Sequence, residues 1–481
     1  MFGQPATHLL WHHFKKMNDI PRASKKEAAI RAYYREYAKT HGLGFEEDAI
    51  GNVLITKPAT KGYENAPKIV IQGHMDMVCQ KRPTSAHNFD TDPIELIEED
   101  GWIRANDTTL GADNGIGVSA GMAILEDESA VHGPMQILIT VDEEAGMGGV
   151  RNLELKGLDA DYLLNLDSMK FGKCCVGCAG GVDILMNREL ADYYRSDVQG
   201  LFYEVTISGL QGGHSGVEIH KGLGSANQLL AEFLTEFSHE YALRLVSFKG
   251  GELRNAITRD ATAVIAVTAN HKEAFLAAVE AWKASLKERF VKVDEGVTIE
   301  AHETAMSDTL DTEMTMTLLD FLTLLPHGPI RQSALLPVVE TSCNIGVIEL
   351  DKENGLHVGL LARSLNTNGL DVIKRRAKSL AYLADVVIEF DGEYPAWEPN
   401  LDSKPLQVLQ ETYRENFNDE LQIQVIHAGL ETGLIGEQYP HLQMVSFGPD
   451  IVGAHSPDEK VNIESVDKFY ALLKALLANL K

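Results

Sequence analysis

Ile69-Val70-Ile71-Gln72-Gly73-His74-Met75-Asp76-Met77-Val78 is an apolar run rich in β-branched residues that breaks at a glycine and delivers a histidine and an aspartate. In extended chain, alternate side chains share a face, so His74 and Asp76 are expected to point the same way. A carboxylate beside an imidazole fixes its tautomer and orientation, as a metal-bound histidine requires. By itself a His-x-Asp is also what a satisfied histidine at a strand end looks like. Its meaning rests on what surrounds it.

Working outward, strands and helices alternate from Lys68 to Asp167. Thr108-Thr109-Leu110-Gly111-Ala112-Asp113-Asn114-Gly115-Ile116-Gly117 is a glycine-rich loop running into a small-residue apolar segment, Val118 to Leu125, which reads as a buried helix. Met135 to Val141 is a strand ending in Asp142-Glu143-Glu144-Ala145-Gly146, and Asp161 to Leu166 another ending at Asp167-Ser168. This pattern predicts an α/β sheet with helices on its faces. In such sheets the functional loops gather beyond the carboxyl ends of the strands. His74, Asp76, Glu143, Glu144 and Asp167 all fall there, and Asp113 begins a helix.

Upstream, Ser24-Lys25-Lys26-Glu27 has the form of a capping box opening a helix from Ala28 to Thr40, and Gly51-Asn52 reads as the turn of a hairpin. Downstream the texture changes near residue 190. Leu201–Ile207, Ala261–Val267, Cys343–Leu350, Gly355–Leu361 and Val386–Phe390 read as strands. Helices are expected over Ser225–Glu240, Lys272–Arg289 and Val372–Ala384. The strand–strand–helix–strand cadence recurs, as an internal duplication would. After Tyr394-Pro395-Ala396-Trp397-Glu398-Pro399, the α/β pattern resumes and closes with a helix from Val466 to Leu480 capped by Ser465. The predicted organisation is a discontinuous catalytic domain with a mixed sheet between helices (1–190 and 394–481). An α+β domain is inserted at 191–393.

The chain has 481 residues, 44% of them hydrophobic, and 70 acidic against 43 basic side chains give a net charge of −27. That balance argues against nucleic acid or an anionic membrane as partner, since both need basic surface. No apolar run approaches the roughly 20 residues of a membrane span. The N-terminal segment lacks the charged and apolar regions of a secretory signal. With five cysteines and no export signal, free thiols and a cytoplasmic location are expected. Cys175-Val176-Gly177-Cys178 has no second pair to complete a zinc site and reads as structural, with Ala179-Gly180-Gly181 resembling a turn.

Histidines and carboxylates on separate strand ends suit two divalent metals, which bind neutral imidazole and hard oxygen. A carboxylate can span both ions, and the pair Glu143-Glu144 offers one ligand and one base. Gly73-His74-Met75-Asp76, Gly111-Ala112-Asp113-Asn114-Gly115, Asp142-Glu143-Glu144-Ala145-Gly146, Leu166-Asp167-Ser168, Gly212-Gly213-His214-Ser215-Gly216 and Gly453-Ala454-His455-Ser456 resemble, in order, the motifs of the dizinc aminoacylase/carboxypeptidase superfamily. Met75-Asp76-Met77-Val78 and Leu110–Gly117 resemble its Xaa-His dipeptidase (aminoacyl-histidine dipeptidase, peptidase D) branch, and the likeness runs over essentially the whole chain.

The resemblance implies that His74 and Asp167 hold one metal, Glu144 and His455 the other, and Asp113 bridges them. The ions would be zinc, with manganese or cobalt also suited. Asp76 would orient His74, and Glu143 would be the base. The bond Asp113–Asn114 is expected to be cis. The inserted domain resembles a lid that also dimerises the protein. There His214 would stabilise the oxyanion, acting in its own or a partner's site, and Asn255 and Arg363 would grip the substrate carboxylate. Gly433 would line the pocket through its backbone. Met169 stands where the family usually has a glutamate, which removes any carboxylate contribution at that position. The implied activity is hydrolysis of short peptides, chiefly Xaa-His dipeptides such as β-alanyl-histidine, by a homodimer. A broader aminopeptidase or N-acyl amidohydrolase, or a non-catalytic peptide- or metal-binding protein, stays open on the sequence alone.

Overall fold

The computed structural model describes residues 2–196 and 198–481. The chain forms two compact units, one of Met1–Gly177, Pro399–Val425 and Leu430–Lys481, the other of Cys178–Glu398 with Ile426–Gly429. The expected α/β architecture, a discontinuous mixed-sheet domain interrupted by an inserted α+β unit, is the one observed. No helix among the described residues is long and apolar enough to cross a membrane.

An eight-stranded sheet organises the first unit, in the order Gly44–Glu47, Val53–Lys57, Met135–Thr140, Ile69–His74, Tyr162–Asn165, Gln443–Ser446, Lys173–Cys178, Gln422–Ile426. Ile69–His74 is fully buried and runs parallel to both neighbours, as an unbroken apolar strand in the middle of an α/β sheet should. His74 pairs with Thr140 and Gln72 with Asn165. The segments carrying Glu143, Glu144 and Asp167 therefore leave the same sheet edge as His74. Across the face lies the helix Ala112–Glu126, buried from Ala112 to Leu125. Its small residues permit close approach. A Cβ on Gly73 would stand 2.1 Å from Asn114 Oδ1, so glycine there makes room for the helix start.

The second unit is built on an antiparallel sheet in the order Thr298–Glu303, Leu201–Ser208, Ala261–Val267, Leu243–Gly250, Val339–Asp351, Gly355–Ser364, Gly180–Arg188, Val387–Tyr394, with Gly328–Gln332 beside Val339–Asp351. The helices Ala226–Glu240, Thr312–Leu324 and Thr367–Leu383 pack on it.

Three local expectations are corrected. Ser24 does not cap the helix Ala28–Thr40, whose N-terminus has no side-chain cap; its hydroxyl donates to Asp76 Oδ2 at 2.7 Å. The last helix spans Ile463–Asn479 and is capped by Asn462, whose side chain accepts from Ser465 N–H. Ser465 Oγ is engaged instead by Asp450 N–H. Gly180 and Gly181 open a strand rather than a turn. Glycine is needed at 180 because a Cβ would lie 2.6 Å from Tyr394 O and Ala396 N. Cys174, Cys175, Cys178 and Cys343 are buried, and Cys79 is half-buried.

Candidate active site

Asp76 is fully buried at the end of the central strand and works as a hub. Its Oδ1 lies 3.3 Å from His74 Nδ1. Its two oxygens also accept from Glu143 N–H (3.1 Å) and Glu144 N–H (3.2 Å), while Ser24 donates to it. One carboxylate thus aims the imidazole and pins the loop bearing the acidic pair. Glu27 supports the same loop, its Oε1 accepting from Asp142 N–H at 3.0 Å.

His74 turns its other nitrogen, Nε2, toward Asp113 Oδ1 (3.2 Å) and Asp167 Oδ1 (3.6 Å). The second oxygen of Asp113 faces His455 Nε2 at 3.3 Å, and Glu144 Oε2 is 3.0 Å from that same nitrogen. Asp113 therefore offers one oxygen to each imidazole. His74, Asp113 and Asp167 form one group, and Asp113, Glu144 and His455 another, with ligand atoms within 4.8 Å of one another. Glu143 Oε2 lies 3.9 Å from His74 Nε2. The peptide bond Asp113–Asn114 is cis, and Asn114 Nδ2 donates to Leu166 O at 2.7 Å beside Asp167.

The electrostatics are those of an anionic pocket. Hydrogen bonds to Asp113 and Glu144 push the His455 imidazole up to about 10. Burial alone would raise Asp113, but His455 and His74 hold it well below the usual carboxylate range. Burial pushes Asp167 up to about 7 and lifts Glu143 well above its ordinary value. The site gathers more negative charge than its histidines neutralise, and divalent cations answer that demand. Two imidazoles and three carboxylates, with no thiolate, form a donor set suited to such ions. The buried Glu144 Oε1 has no hydrogen-bond partner, which leaves an acceptor free for a ligand bond.

Sequence reasoning missed several supports. Arg22 is buried, with Nη1 donating to Met75 O and Asp76 O and Nη2 to Gly111 O at 2.6 Å. Glu459 accepts four backbone N–H groups from residues 110–113. Glu431 is 2% exposed and accepts from Gln72 Nε2 and Thr140 Oγ1. Gly433, on the same short helix, is buried. Met169 is 43% exposed and belongs to neither ligand group.

The remaining predicted residues lie in the second unit. His214 sits on the short strand Gly213–His214, which pairs with Ala256–Ile257. Its Nδ1 accepts from Gly216 N–H and Val217 N–H (3.0 and 3.2 Å), so Nε2 carries the proton. Burial and then Arg363 lower its pKa and keep the ring neutral. Arg363 and Asn255 both line a cavity of about 850 Å³, together with Asp183, Arg254 and Tyr394. Arg363 is 6% exposed and donates to Tyr394 Oη at 2.6 Å, leaving Nε without a partner. Asn344 Nδ2 holds Arg254 O and Ala256 O at 2.8 Å, fixing the turn that carries Asn255. His427, unmarked in the sequence reading, is buried with Nε2 against Ser342 Oγ at 2.7 Å.

A dinuclear histidine–carboxylate centre at the strand ends of an α/β sheet, with a further glutamate beside it, defines the class: a metal-dependent hydrolase. The chain belongs to the peptidase family M20/M25/M40, whose model matches residues 70–479. It is 43% identical over 472 residues to the cytosol non-specific dipeptidase of Escherichia coli K12, covering 97% of this chain and 96% of that one. The crystal structure of aminoacylhistidine dipeptidase from Vibrio alginolyticus superposes with a TM-score of 0.92 at 40% identity, over 98% of both chains. An aminopeptidase from Bacillus cereus has the same fold at 17% identity, with a TM-score of 0.57 over 98% of each chain.

Proposed function

We propose that the protein is a dipeptidase using two divalent metal ions, zinc foremost, to hydrolyse Xaa-His dipeptides such as β-alanyl-histidine and other short peptides. The observation that carries the reading is the division of Asp113's two oxygens between His74 and His455, with Glu143 next to His74. His74 and Asp167 would hold one ion, Glu144 and His455 the other, and Asp113 both. When bound, the ions supply Lewis acidity, acidifying water and polarising the scissile carbonyl.

The rest is assigned to the chain's own groups. Glu143 takes the proton of the attacking water and returns it to the leaving amine. Burial suits it to that exchange by raising its proton affinity well above that of an ordinary carboxylate. Asp76 keeps Nδ1–H of His74 engaged so that Nε2 presents its lone pair. His214, protonated at Nε2, donates to the oxyanion. Arg363 and Asn255 take the substrate carboxylate, for which a guanidinium is a good match, and Gly433 lines the pocket through its backbone. The names of the relatives from E. coli and V. alginolyticus support the substrate class. We further assign a cytoplasmic location and a homodimer formed through the second unit; light scattering at micromolar concentration checks the latter, and a fully active monomer would refute it.

The test is to assay the metal-stripped protein, with and without zinc or manganese, on β-alanyl-histidine, Gly-Leu, a tripeptide and an N-acetyl amino acid. Metal-dependent turnover concentrated on the histidine dipeptide is expected. Preference for the tripeptide or the acetylated substrate would place the protein among aminopeptidases or amidohydrolases. Two bound metals without turnover would make it a binding protein.

A further inference from the structure

His455 differs from its companions in one respect. The side chains of His74, Asp113, Glu144 and Asp167 are between 1% and 13% exposed, whereas that of His455 is 53% exposed. It has a positive φ of 63° and lies in the loop between the paired strands Ile451–Val452 and Lys460–Asn462. Packing does not hold such a ring in place. Local turns do part of it: Ser456 N–H and Oγ–H both reach Gly453 O, and Glu459 N–H reaches Ser456 O.

The other part is the Glu459 side chain. It leaves the same loop and is 2% exposed. Its Oε2 accepts from Leu110 N–H (2.7 Å) and Gly111 N–H (3.0 Å). Its Oε1 accepts from Ala112 N–H (2.8 Å) and Asp113 N–H (3.2 Å). An ionised carboxylate has about four acceptor positions, and every one is engaged by the loop that presents Asp113. Arg22 in turn grips the carbonyl of Gly111 and those of Met75 and Asp76. The loop is thus clamped between a guanidinium tied to the His74 strand and a carboxylate tied to the His455 hairpin.

Resting on the ligand set proposed above, we propose that Glu459 is a positioning residue: it locks the exposed His455 hairpin to the Asp113 loop and so sets the affinity of the Asp113–Glu144–His455 metal site. It does not touch substrate or metal. A carboxamide at this position has one acceptor oxygen and turns an NH₂ toward two N–H donors, so E459Q breaks the lock while preserving size.

The experiment titrates metal-stripped full-length protein with Zn²⁺ against a competing chromophoric chelator, for wild type, E459Q, H455A and the double variant. Wild type is expected to bind two ions. E459Q should keep one site and weaken the other about 10- to 100-fold, the range for an outer partner of a ligand. H455A should lose that same site, and E459Q should add nothing to it in the H455A background. Two undiminished sites in a folded E459Q overturn the proposal. So does equal weakening of both, the signature of a general support for the helix Ala112–Glu126. If E459Q fails to match the wild-type melting curve, E459D serves instead: it keeps the charge but withdraws the carboxylate by one methylene, and the same single-site loss is expected. Wild type binding fewer than two ions, or H455A still binding two, would overturn the ligand set itself, a result distinct from normal wild-type binding with an inert E459Q.

Discussion

Each unit of this protein buries a cluster of polar side chains, and the two clusters carry opposite charge. In the first, Asp76, Asp113, Glu143, Glu144, Asp167 and Glu431 crowd two imidazoles. Burial there works on acids, pushing Asp167 and Glu431 up to about 7. In the second, the cluster centres on the Arg363 guanidinium and two histidines. Burial there works on bases: it pushes His427 down to about 3, with Arg363 adding to the effect, and lowers His214 as well. The same desolvation penalty strips protons in one place and adds them in the other. The lesson is a division of labour. The first cluster is short of positive charge and suits cations; the second has a cation with an unpartnered Nε and suits an anionic end of a ligand.

The comparison can be broken most directly at Glu143. E143Q should lower turnover by about 10²- to 10⁴-fold while both metals still bind, as measured by metal analysis of the purified variant. Retained activity would remove Glu143 from proton transfer. Next is Arg363, where R363M removes charge-assisted hydrogen bonds worth about 1.5–3 kcal/mol, or roughly 10- to 100-fold in kcat/KM. The loss should fall mainly on KM for a dipeptide and be much smaller for its C-terminal amide.

A third outcome concerns acid stability. His427 titrates near its ordinary value of 6.5 when unfolded but at about 3 when folded. Between those values the unfolded chain binds a proton that the native chain refuses. Stability from this group is therefore complete above 6.5 and lost as pH falls toward 3, by up to about 1.4 kcal/mol per pH unit. Urea unfolding should show H427Q falling less steeply with pH than wild type over that window. The smallest effects sharpen the division between the clusters. S24A removes one hydroxyl bond to Asp76, costing about 1.5 kcal/mol, and should weaken zinc binding. S342A removes the partner of His427 at comparable cost and should leave zinc binding unchanged.

The proposed ligand residues stand out in the sequence because each sits in a short local pattern: an apolar run, a glycine or a turn, then an acid or histidine. His74 and Asp113 announce themselves within a few neighbours. Arg22, Ser24, Glu431 and Glu459 do not, because they act on groups distant in the chain, many of them backbone atoms that look alike in any sequence. Ser24 sat in a stretch that imitates a capping box, yet its partner is Asp76. Glu459, within Ser456-Pro457-Asp458-Glu459-Lys460, reads as part of a solvated charged loop and is buried. Some strands of the second unit were visible, Leu201–Ile207 by its alternation, whereas Gly180–Arg188, Leu243–Gly250, Thr298–Glu303 and Gly328–Gln332 were not. Nor was the grouping of strands around Arg363, since sheet order brings Gly181, Ser342 and Arg363 side by side from three remote segments.

The clamp on the Asp113 loop also has a consequence in time. Arg22 enters the growing chain before any strand of the main sheet, while His455 and Glu459 enter only after the whole second unit has been made. A nascent chain that stops short of His455 holds an acidic pocket lacking one of its two imidazoles. With the proposed ligand set, hydrolytic competence waits on synthesis of the His455 hairpin, and a product truncated before it, however well its sheets form, is expected to stay silent toward the peptides around it.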